Sequence, residues 1–216
     1  MKVISVNVGL PREVMWKGRT VMTGIFKEPV AGRVRIQRHN LDGDKQADLS
    51  VHGGPEKAVY LYPVEHYACW RNDLPEMELP WGMFGENLTT EGLVEEAVNI
   101  GDRLRVGTAE VVVTQPRMPC QKLAIKFDRP DIIKRFLASG RTGFYLRVLQ
   151  AGEVGAGDAI EQISRDENDL SVADITRLYA HAKDDVATLQ RAVRHKVLPT
   201  DWREYFQRRI EKVAAT

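Results

Sequence analysis

The strongest constraint on the fold is a change in hydrophobic periodicity near Ser164. Before this residue, short runs rich in β-branched and aromatic residues are separated by turns that contain Gly, Pro and Asp. After it, apolar residues recur at spacings of three and four, as they do on one face of an amphipathic helix. The wholly polar segment 164–169 therefore predicts a boundary between a domain of residues 1–163 and a domain of residues 164–216.

The first part of the chain is predicted to be mainly β within an α+β class. Several of its apolar runs alternate with polar residues, which is typical of a sheet that meets water on one face. Predicted strands cover residues 3–6, 32–36, 58–62, 103–106, 110–114 and 144–149, and predicted helices cover residues 63–73 and 131–138. We expect a curved or closed, barrel-like sheet with helices packed outside it.

The second part is predicted to be a small three-helix domain. Ser171 followed by Asp174 resembles a capping box and marks the start of the first helix. The apolar positions of the next two helices are Val186, Leu189, Val193 and Val197, then Trp202, Tyr205, Phe206 and Ile210. Because short isolated helices are only marginally stable, we expect these three to pack against another part of the protein.

Composition excludes several classes of protein. The 31 basic and 30 acidic side chains nearly cancel, which gives no bulk electrostatic basis for binding nucleic acid or an anionic membrane. There is no apolar run of the roughly 18 residues that a membrane span requires, and the first residues do not resemble a signal peptide. Two cysteines, Cys69 and Cys120, do not suggest a disulfide framework. We therefore expect a cytoplasmic protein with free thiols.

Cys120 is the leading candidate for chemistry. Pro116 and Pro119 disfavour a regular helix or a central strand around it, so it is predicted to lie on a stiff loop. Arg117 and Lys122 flank it, and nearby cations favour the thiolate, which ligates metals and attacks electrophiles. A buried structural thiol is an equally compatible interpretation of this local sequence. Cys69 lies in a predicted helix and is interpreted as a small packed hydrophobe.

Three other segments carry weaker signals. Residues 38–57 gather basic, acidic and imidazole groups around glycines, whose exposed N–H groups suit anions, although most of these charges are typical of a solvated loop. His52, just before Gly53 and Gly54, is the exception. Asn87 offers the donor and acceptors that a heterocycle requires, or serves as a turn residue. Arg141 lies on a glycine-bounded turn. No phosphate-binding loop, dinucleotide fingerprint or nucleophile elbow is present in the sequence.

Taken together and in order, these segments resemble the MOSC family, specifically its YiiM-like branch. The matching segments are residues 23–30 (TGIFKEPV), 44–49 (DKQADL), 52–60 (HGGPEKAVY), 84–88 (FGENL), 115–120 (QPRMPC) and 140–143 (GRTG). The tail resembles the three-helix domain that follows the MOSC domain in this branch, so the resemblance covers nearly the whole chain.

The resemblance implies a β-barrel-like fold that holds a pyranopterin molybdenum cofactor, with Cys120 as the residue that ligates molybdenum. A thiolate is a soft ligand and suits such a metal. The phosphate and polar pterin of the cofactor would be bound by basic and amide side chains. We expect these residues to be Arg38, His52, Lys57, Asn87, Arg117 and Arg141.

The resemblance also implies a molybdenum-dependent oxidoreductase that reduces N-hydroxylated compounds, for example 6-hydroxylaminopurine to the amine, and so detoxifies them. A separate flavin-containing reductase would supply the electrons, because the sequence shows no flavin or nicotinamide site. His52 is a candidate proton donor, since histidine titrates near neutral pH. Pyridoxal phosphate is not expected, and a homodimer is compatible with the sequence.

Two alternatives remain open at this point. In the first, the protein is a non-catalytic carrier of the molybdenum cofactor or of sulfur, with a persulfide on Cys120. In the second, which owes nothing to the resemblance, it is a cysteine hydrolase that uses Cys120, His52 and Asp48.

Overall fold

The computed structural model describes residues 1–47, 53–181 and 185–214. Its strands are β1 (Lys2–Val8), β2 (Arg12–Trp16), β3 (Arg19–Thr23), β4 (Glu28–Pro29), β5 (Arg33–Ile36), β6 (Val59–Pro63), β7 (Leu88–Glu91), β8 (Arg103–Val106), β9 (Ala109–Pro116), β10 (Phe144–Gln150), β11 (Gly152–Gly155) and β12 (Ile160–Ser164). Its helices are α1 (Val64–Asp73), α2 (Gln121–Phe127), α3 (Ile132–Ser139), α4 (Val172–Ala180), α5 (Val186–Arg194) and α6 (Thr200–Ala214).

A mixed sheet of eight strands forms the centre of the molecule, in the order β12-β8-β9-β10-β6-β7-β1-β4. Neighbouring strands are antiparallel except for β6 and β7, which are parallel because α1 connects the two. Strands β5 and β11 pair in a second, small sheet, and β2 and β3 form a separate hairpin. The prediction of a sheet-dominated α+β fold with a C-terminal helical part is confirmed.

Of the two forms expected, a curved or a closed sheet, the closed form is not found in the described residues, because the sheet has two ends, β12 and β4. The outer edge of β1 is divided between two neighbours. Its residues Asn7 and Val8 pair with β4, whereas Lys2 forms an isolated bridge with Ala159 just before β12. In the described structure no continuous ladder therefore joins β1 to β12, and the sheet stays open.

The C-terminal helices pack directly on the sheet, as their short length requires. A single buried apolar cluster contains Val111 and Leu146 of the sheet together with Ile175, Leu189 and Phe206 of α4, α5 and α6. Fully burying a side chain of this size contributes roughly 1.5–3 kcal/mol. The capping box at the start of α4 is also confirmed, since both of its reciprocal hydrogen bonds are present. The division at residues 163 and 164 stays a prediction, although β12 does end at Ser164.

A second apolar cluster lies where α1, α2 and α3 meet the strand β6. It is built from stacked aromatic rings, with the Tyr62 and Phe84 ring centroids 4.3 Å apart and Trp70 and Phe136 nearly parallel at 6.2 Å. This cluster fixes the helix α2, which begins directly after Cys120. No helix in the described part of the chain is long and apolar enough to cross a membrane.

Candidate functional site

Cys120 lies at the junction between the central sheet and α2. Strand β9 ends at Pro116, and Cys120 is the N-cap residue of α2, with its carbonyl oxygen accepting a 2.9 Å hydrogen bond from the backbone N–H of Leu123. Pro119 precedes this N-cap residue and lies outside the helix, so its missing N–H removes no intrahelical hydrogen bond. The Cys120 thiol is half-buried, as is that of Cys69, and both are free of disulfides.

Cys120 lies in the wall of a cleft that is partly open to solvent. The cleft is defined by segments that are far apart in sequence but adjacent in the fold. Its lining residues are Thr23, Gly24, Ile25, Lys27, Lys45, Gln46, Ala47, Lys57, Tyr60, Gly85, Asn87, Arg117, Cys120, Lys122 and Tyr145.

The cleft is strongly basic although the chain is nearly neutral. Five of the residues that line it are Lys or Arg, and the described lining contains no Asp or Glu. The five are Lys27, Lys45, Lys57, Arg117 and Lys122. Cations concentrated in a partly enclosed site raise the local potential and favour anionic ligands, above all phosphate, which forms charge-assisted hydrogen bonds.

Arg117 is the most unusual of these cations. Its residue is 5% exposed, and its Nη1 atom is buried without a hydrogen-bond partner in the described structure. The guanidinium carbon lies 5.4 Å from the ring centroid of Tyr60 and 5.1 Å from that of Phe136. Burial lowers the pKa of Arg117. The negative charges that Tyr60, Tyr145 and Cys120 acquire on ionisation together have the larger, opposite effect, so the pKa is raised overall and the group stays a cation. A buried cation with an unused donor is costly unless an acceptor binds there.

Lys27 forms an ion pair at the wall of the cleft. Its Nζ atom contacts Oδ1 of Asp44, whose side chain is fully buried. Asp44 also accepts hydrogen bonds from the backbone N–H of Gly9 at 3.0 Å and from Nδ2 of Asn87 at 2.9 Å. Burial lowers the pKa of Lys27, and the charge of Asp44 and the hydrogen bond to it oppose this effect.

The side-chain amide of Asn87 connects several parts of this network by hydrogen bonds. Its Oδ1 atom accepts a 3.0 Å hydrogen bond from the backbone N–H of Tyr60, and its Nδ2 atom donates to Asp44 and to the backbone carbonyl of Asn7. The amide therefore uses both ends to connect β6, β1 and Asp44. Its predicted contact with a heterocycle stays a prediction, in addition to this bracing role.

The cleft wall is also held from the side of α2. Lys126 points its Nζ atom at three backbone carbonyls, those of Gly82 at 2.6 Å, Ile25 at 3.1 Å and Lys27 at 3.4 Å. Burial lowers the pKa of Lys126 to about 8. One ammonium group thus connects the helix that follows Cys120 to the segment that carries Lys27.

Four of the residues predicted from sequence come together at the cleft: Lys57, Asn87, Arg117 and Cys120. Arg38 is exposed and does not line it. Arg141 does not line it either, because its turn faces the end of α1, where Nη1 lies 3.0 Å from Oδ2 of Asp73. His52, the predicted cofactor ligand and proton donor, and Asp48 of the cysteine-hydrolase alternative lie outside the described residues.

Several lining residues cannot be identified from local sequence. Lys27 lies in the segment 23–30 that carries the family resemblance, but no pattern distinguishes it from a surface lysine. Tyr60 and Tyr145 read as ordinary strand residues, although their ring centroids lie 5.2 Å apart in the cleft wall. Only the pairing of β10 with β6 brings these two rings together.

Comparison with known proteins gives matches along nearly the whole chain. The family model of the MOSC domain matches residues 48–161, and that of the YiiM-like, 3-alpha helix domain matches residues 170–213. Uncharacterized protein YflK of Bacillus subtilis (strain 168) is 41% identical over 211 residues, which cover 98% of this chain and 95% of that protein. Protein YiiM of Escherichia coli (strain K12) is 36% identical over 189 residues, which cover 87% of this chain and 84% of that protein.

A protein of Gibberella moniliformis named Reductase is 37% identical over 164 residues, which cover 74% of this chain but 29% of that protein. Two solved structures are similar over almost their full length. The crystal structure of YiiM from Geobacillus stearothermophilus has a TM-score of 0.81 and 37% identity, and covers 97% of this chain and 98% of that chain. YiiM from Escherichia coli has a TM-score of 0.78 and 30% identity, with 98% and 94% covered.

Proposed function

The chain belongs to the MOSC family, in its YiiM-like branch, and we propose that it is a molybdenum-cofactor-dependent reductase of N-hydroxylated compounds. Its substrates would include bases such as 6-hydroxylaminopurine, which it would reduce to the amine. The observation that carries the proposal is the cleft itself, where the Cys120 thiol lies among five cations and no carboxylate of the described lining.

The residues present fit an anionic cofactor that contains a soft metal. Cys120 is half-buried in the cleft, as a thiolate ligand must be if it is to reach a metal and remain screened from water. The unused Nη1 donor of Arg117 requires an acceptor, which a phosphate or a pterin oxygen supplies. We assign Cys120 to the metal and Arg117 and Lys57 to the polar groups of the cofactor. Arg38 and Arg141 are left out because they lie elsewhere.

The cofactor, when bound, would supply the two-electron chemistry that removes oxygen from an N–OH group. The chain would contribute position, charge and exclusion of water. Tyr60 and Tyr145 form an aromatic wall, and the hydroxyl of Tyr60 is fixed by a 2.7 Å hydrogen bond to the backbone carbonyl of Thr142. Such a rigid wall suits a planar heterocycle, because little side-chain entropy is lost when the ligand packs on it.

Electrons would come from a separate flavin-containing reductase. In the Gibberella relative named Reductase, the segment similar to this chain is joined to additional chain that makes up most of that protein. This arrangement is consistent with a catalytic unit that receives its electrons from another part of the protein. For the present chain, that other part would be a separate polypeptide.

Turnover of 6-hydroxylaminopurine tests the proposal. The protein would be expressed in a molybdate-fed host and assayed with reduced methyl viologen as an artificial electron donor. We expect turnover by the wild type, loss of at least about 100-fold in Cys120→Ala, and retention in Cys69→Ala, the matched control for the loss of a half-buried thiol. A wild type that contains molybdenum and pterin but reduces no N-hydroxylated compound contradicts the proposal. In that case a persulfide on Cys120, detected by mass spectrometry, would support the carrier alternative.

A further inference from the structure

Removing oxygen from an N–OH group requires two protons, and a group in the cleft that delivers one of them would speed the reaction. Among the residues described there, the hydroxyl of Tyr60 already donates to a backbone carbonyl. Lys45 is exposed, and Lys57 and Lys122 are half-buried. Lys27 is the one lysine of the described lining that is buried, with 9% of its surface exposed.

The position of Lys27 is fixed by an anchored carboxylate. Asp44 is held by the backbone N–H of Gly9 and by Asn87, so it cannot rotate away from the ion pair without losing both hydrogen bonds. In the described structure, Asp44 is the hydrogen-bond partner of the Lys27 Nζ atom. An ammonium group has three donors, and because Lys27 lines the cleft, we expect those that Asp44 does not use to reach a bound ligand.

The charges around Lys27 are suited to the release and recovery of a proton. Burial lowers the pKa of Lys27, and the charges of Asp44 and Glu86 oppose this effect. On the other side, the positive charge of Lys126 repels that of Lys27. An ion pair buried in this way contributes little net stability compared with two packed apolar side chains, so structural need alone does not account for a lysine here.

We propose that Lys27 is a catalytic residue that protonates the oxygen leaving the N–OH group. The step rests on the proposed reductase function and balances as follows: R–NH–OH, two electrons and two protons become R–NH2 and water. The N–O bond breaks, and the electrons come from a reduced flavoprotein by way of the cofactor. Lys27 supplies one proton to the leaving oxygen and solvent supplies the other. Asp44 is a positioning residue, and solvent returns the proton to Lys27.

Three variants separate proton transfer from charge and from folding. Lys27→Gln removes the proton, whereas Lys27→Arg keeps the positive charge but cannot release a proton at usable pH. The double variant Lys27→Met with Asp44→Asn removes the ion pair without leaving an unpaired carboxylate. In all three we expect molybdenum content equal to the wild type and a kcat at least about 100-fold lower, the effect of losing a general acid. A kcat of Lys27→Arg within threefold of the wild type would mean that charge alone suffices, and would overturn the proposal.

A titration of the cofactor-free protein provides a second readout. The 13Cε resonance of Lys27, assigned by its loss in Lys27→Arg, is expected to titrate below the ordinary lysine pKa of 10.5. A titration at or above that value contradicts the proposal. Lys2→Met is the control, because it removes a lysine that pairs with Glu91 and does not line the cleft, and it should leave the shape of the kcat–pH profile unchanged.

The proposed reductase function and the proposed role of Lys27 can be disproved separately. If a molybdenum-loaded wild type shows no turnover, the proposed function is wrong. If the wild type turns over and the Lys27 variants match it, the reductase function stands and the role of Lys27 is wrong.

Discussion

The indole Nε1 of Trp202 donates a 2.7 Å hydrogen bond to Oε1 of Gln115, and both side chains are buried. This bond joins α6 to the end of strand β9, two residues before Arg117 and five before Cys120. Gln115 and its neighbour Thr114 also contact the backbone carbonyl of Glu56, next to Lys57 of the cleft. The C-terminal helices are therefore part of what holds the cleft in shape.

Replacing Trp202 with Phe should destabilise the protein by about 1–3 kcal/mol, because the buried Oε1 acceptor of Gln115 loses its donor. Urea unfolding at neutral pH measures the effect. Tyr205→Phe, a half-buried aromatic on the same helix, is the control and should change stability by less than about 0.5 kcal/mol. Equal stabilities of Trp202→Phe and the wild type would show that the bond does not contribute.

Arg117→Met should change the stability of the cofactor-free protein and its binding of the cofactor in opposite directions. At neutral pH Tyr60 and Tyr145 are protonated, so the buried guanidinium is not balanced by their charge. Removing it should raise the free energy of unfolding of the cofactor-free protein by about 1 kcal/mol. The same variant should lose most of its cofactor, measured as molybdenum and pterin after purification. Destabilisation of the cofactor-free variant by more than about 1 kcal/mol would instead indicate a structural role for Arg117.

The lowered pKa of Lys126 predicts that the stability of the protein rises with pH. Its pKa is about 8 in the folded protein, whereas the ordinary pKa of a lysine is 10.5, so between these values the unfolded chain binds more protons. Stability contributed by this group must then rise with pH, by at most about 1.4 kcal/mol per pH unit. The quantity to measure is the difference in unfolding free energy between the wild type and Lys126→Met as the pH rises through the folded pKa and beyond it. A difference that is flat or falls over this range contradicts the lowered pKa.

The fold was largely predictable where hydrophobic periodicity was strong. Strands β1, β5, β6, β8, β9 and β10, helices α1 and α3, and the three C-terminal helices coincide with predicted segments. Strands β2, β3, β4, β7, β11 and β12 and helix α2 do not. The hairpin of β2 and β3 turns at Lys17 and Gly18, which both have positive φ, and Gly18 is the only sign of this turn in the sequence. Met15 and Met22 on its exposed face obscure the usual alternation.

The site was predictable only in part, because it is assembled by tertiary structure. Cys120 and Arg117 could be singled out from a loop restrained by prolines. Lys27 could not, because its burial depends on Asp44, seventeen residues away, and on Lys126 of a helix that was not predicted. The exclusion of Arg141 likewise depends on Asp73, which is 68 residues distant in sequence.

The central claim, that Cys120 ligates molybdenum, is tested most directly by metal and pterin analysis. Wild type, Cys120→Ala and Cys69→Ala would be purified in parallel from a host supplied with molybdate. We predict that molybdenum and pterin co-purify with the wild type and with Cys69→Ala, and that Cys120→Ala loses the metal or its thiolate-to-metal absorption. A wild type free of both molybdenum and pterin when cofactor is plentiful, or a Cys120→Ala variant that retains both with an unchanged spectrum, would contradict the claim.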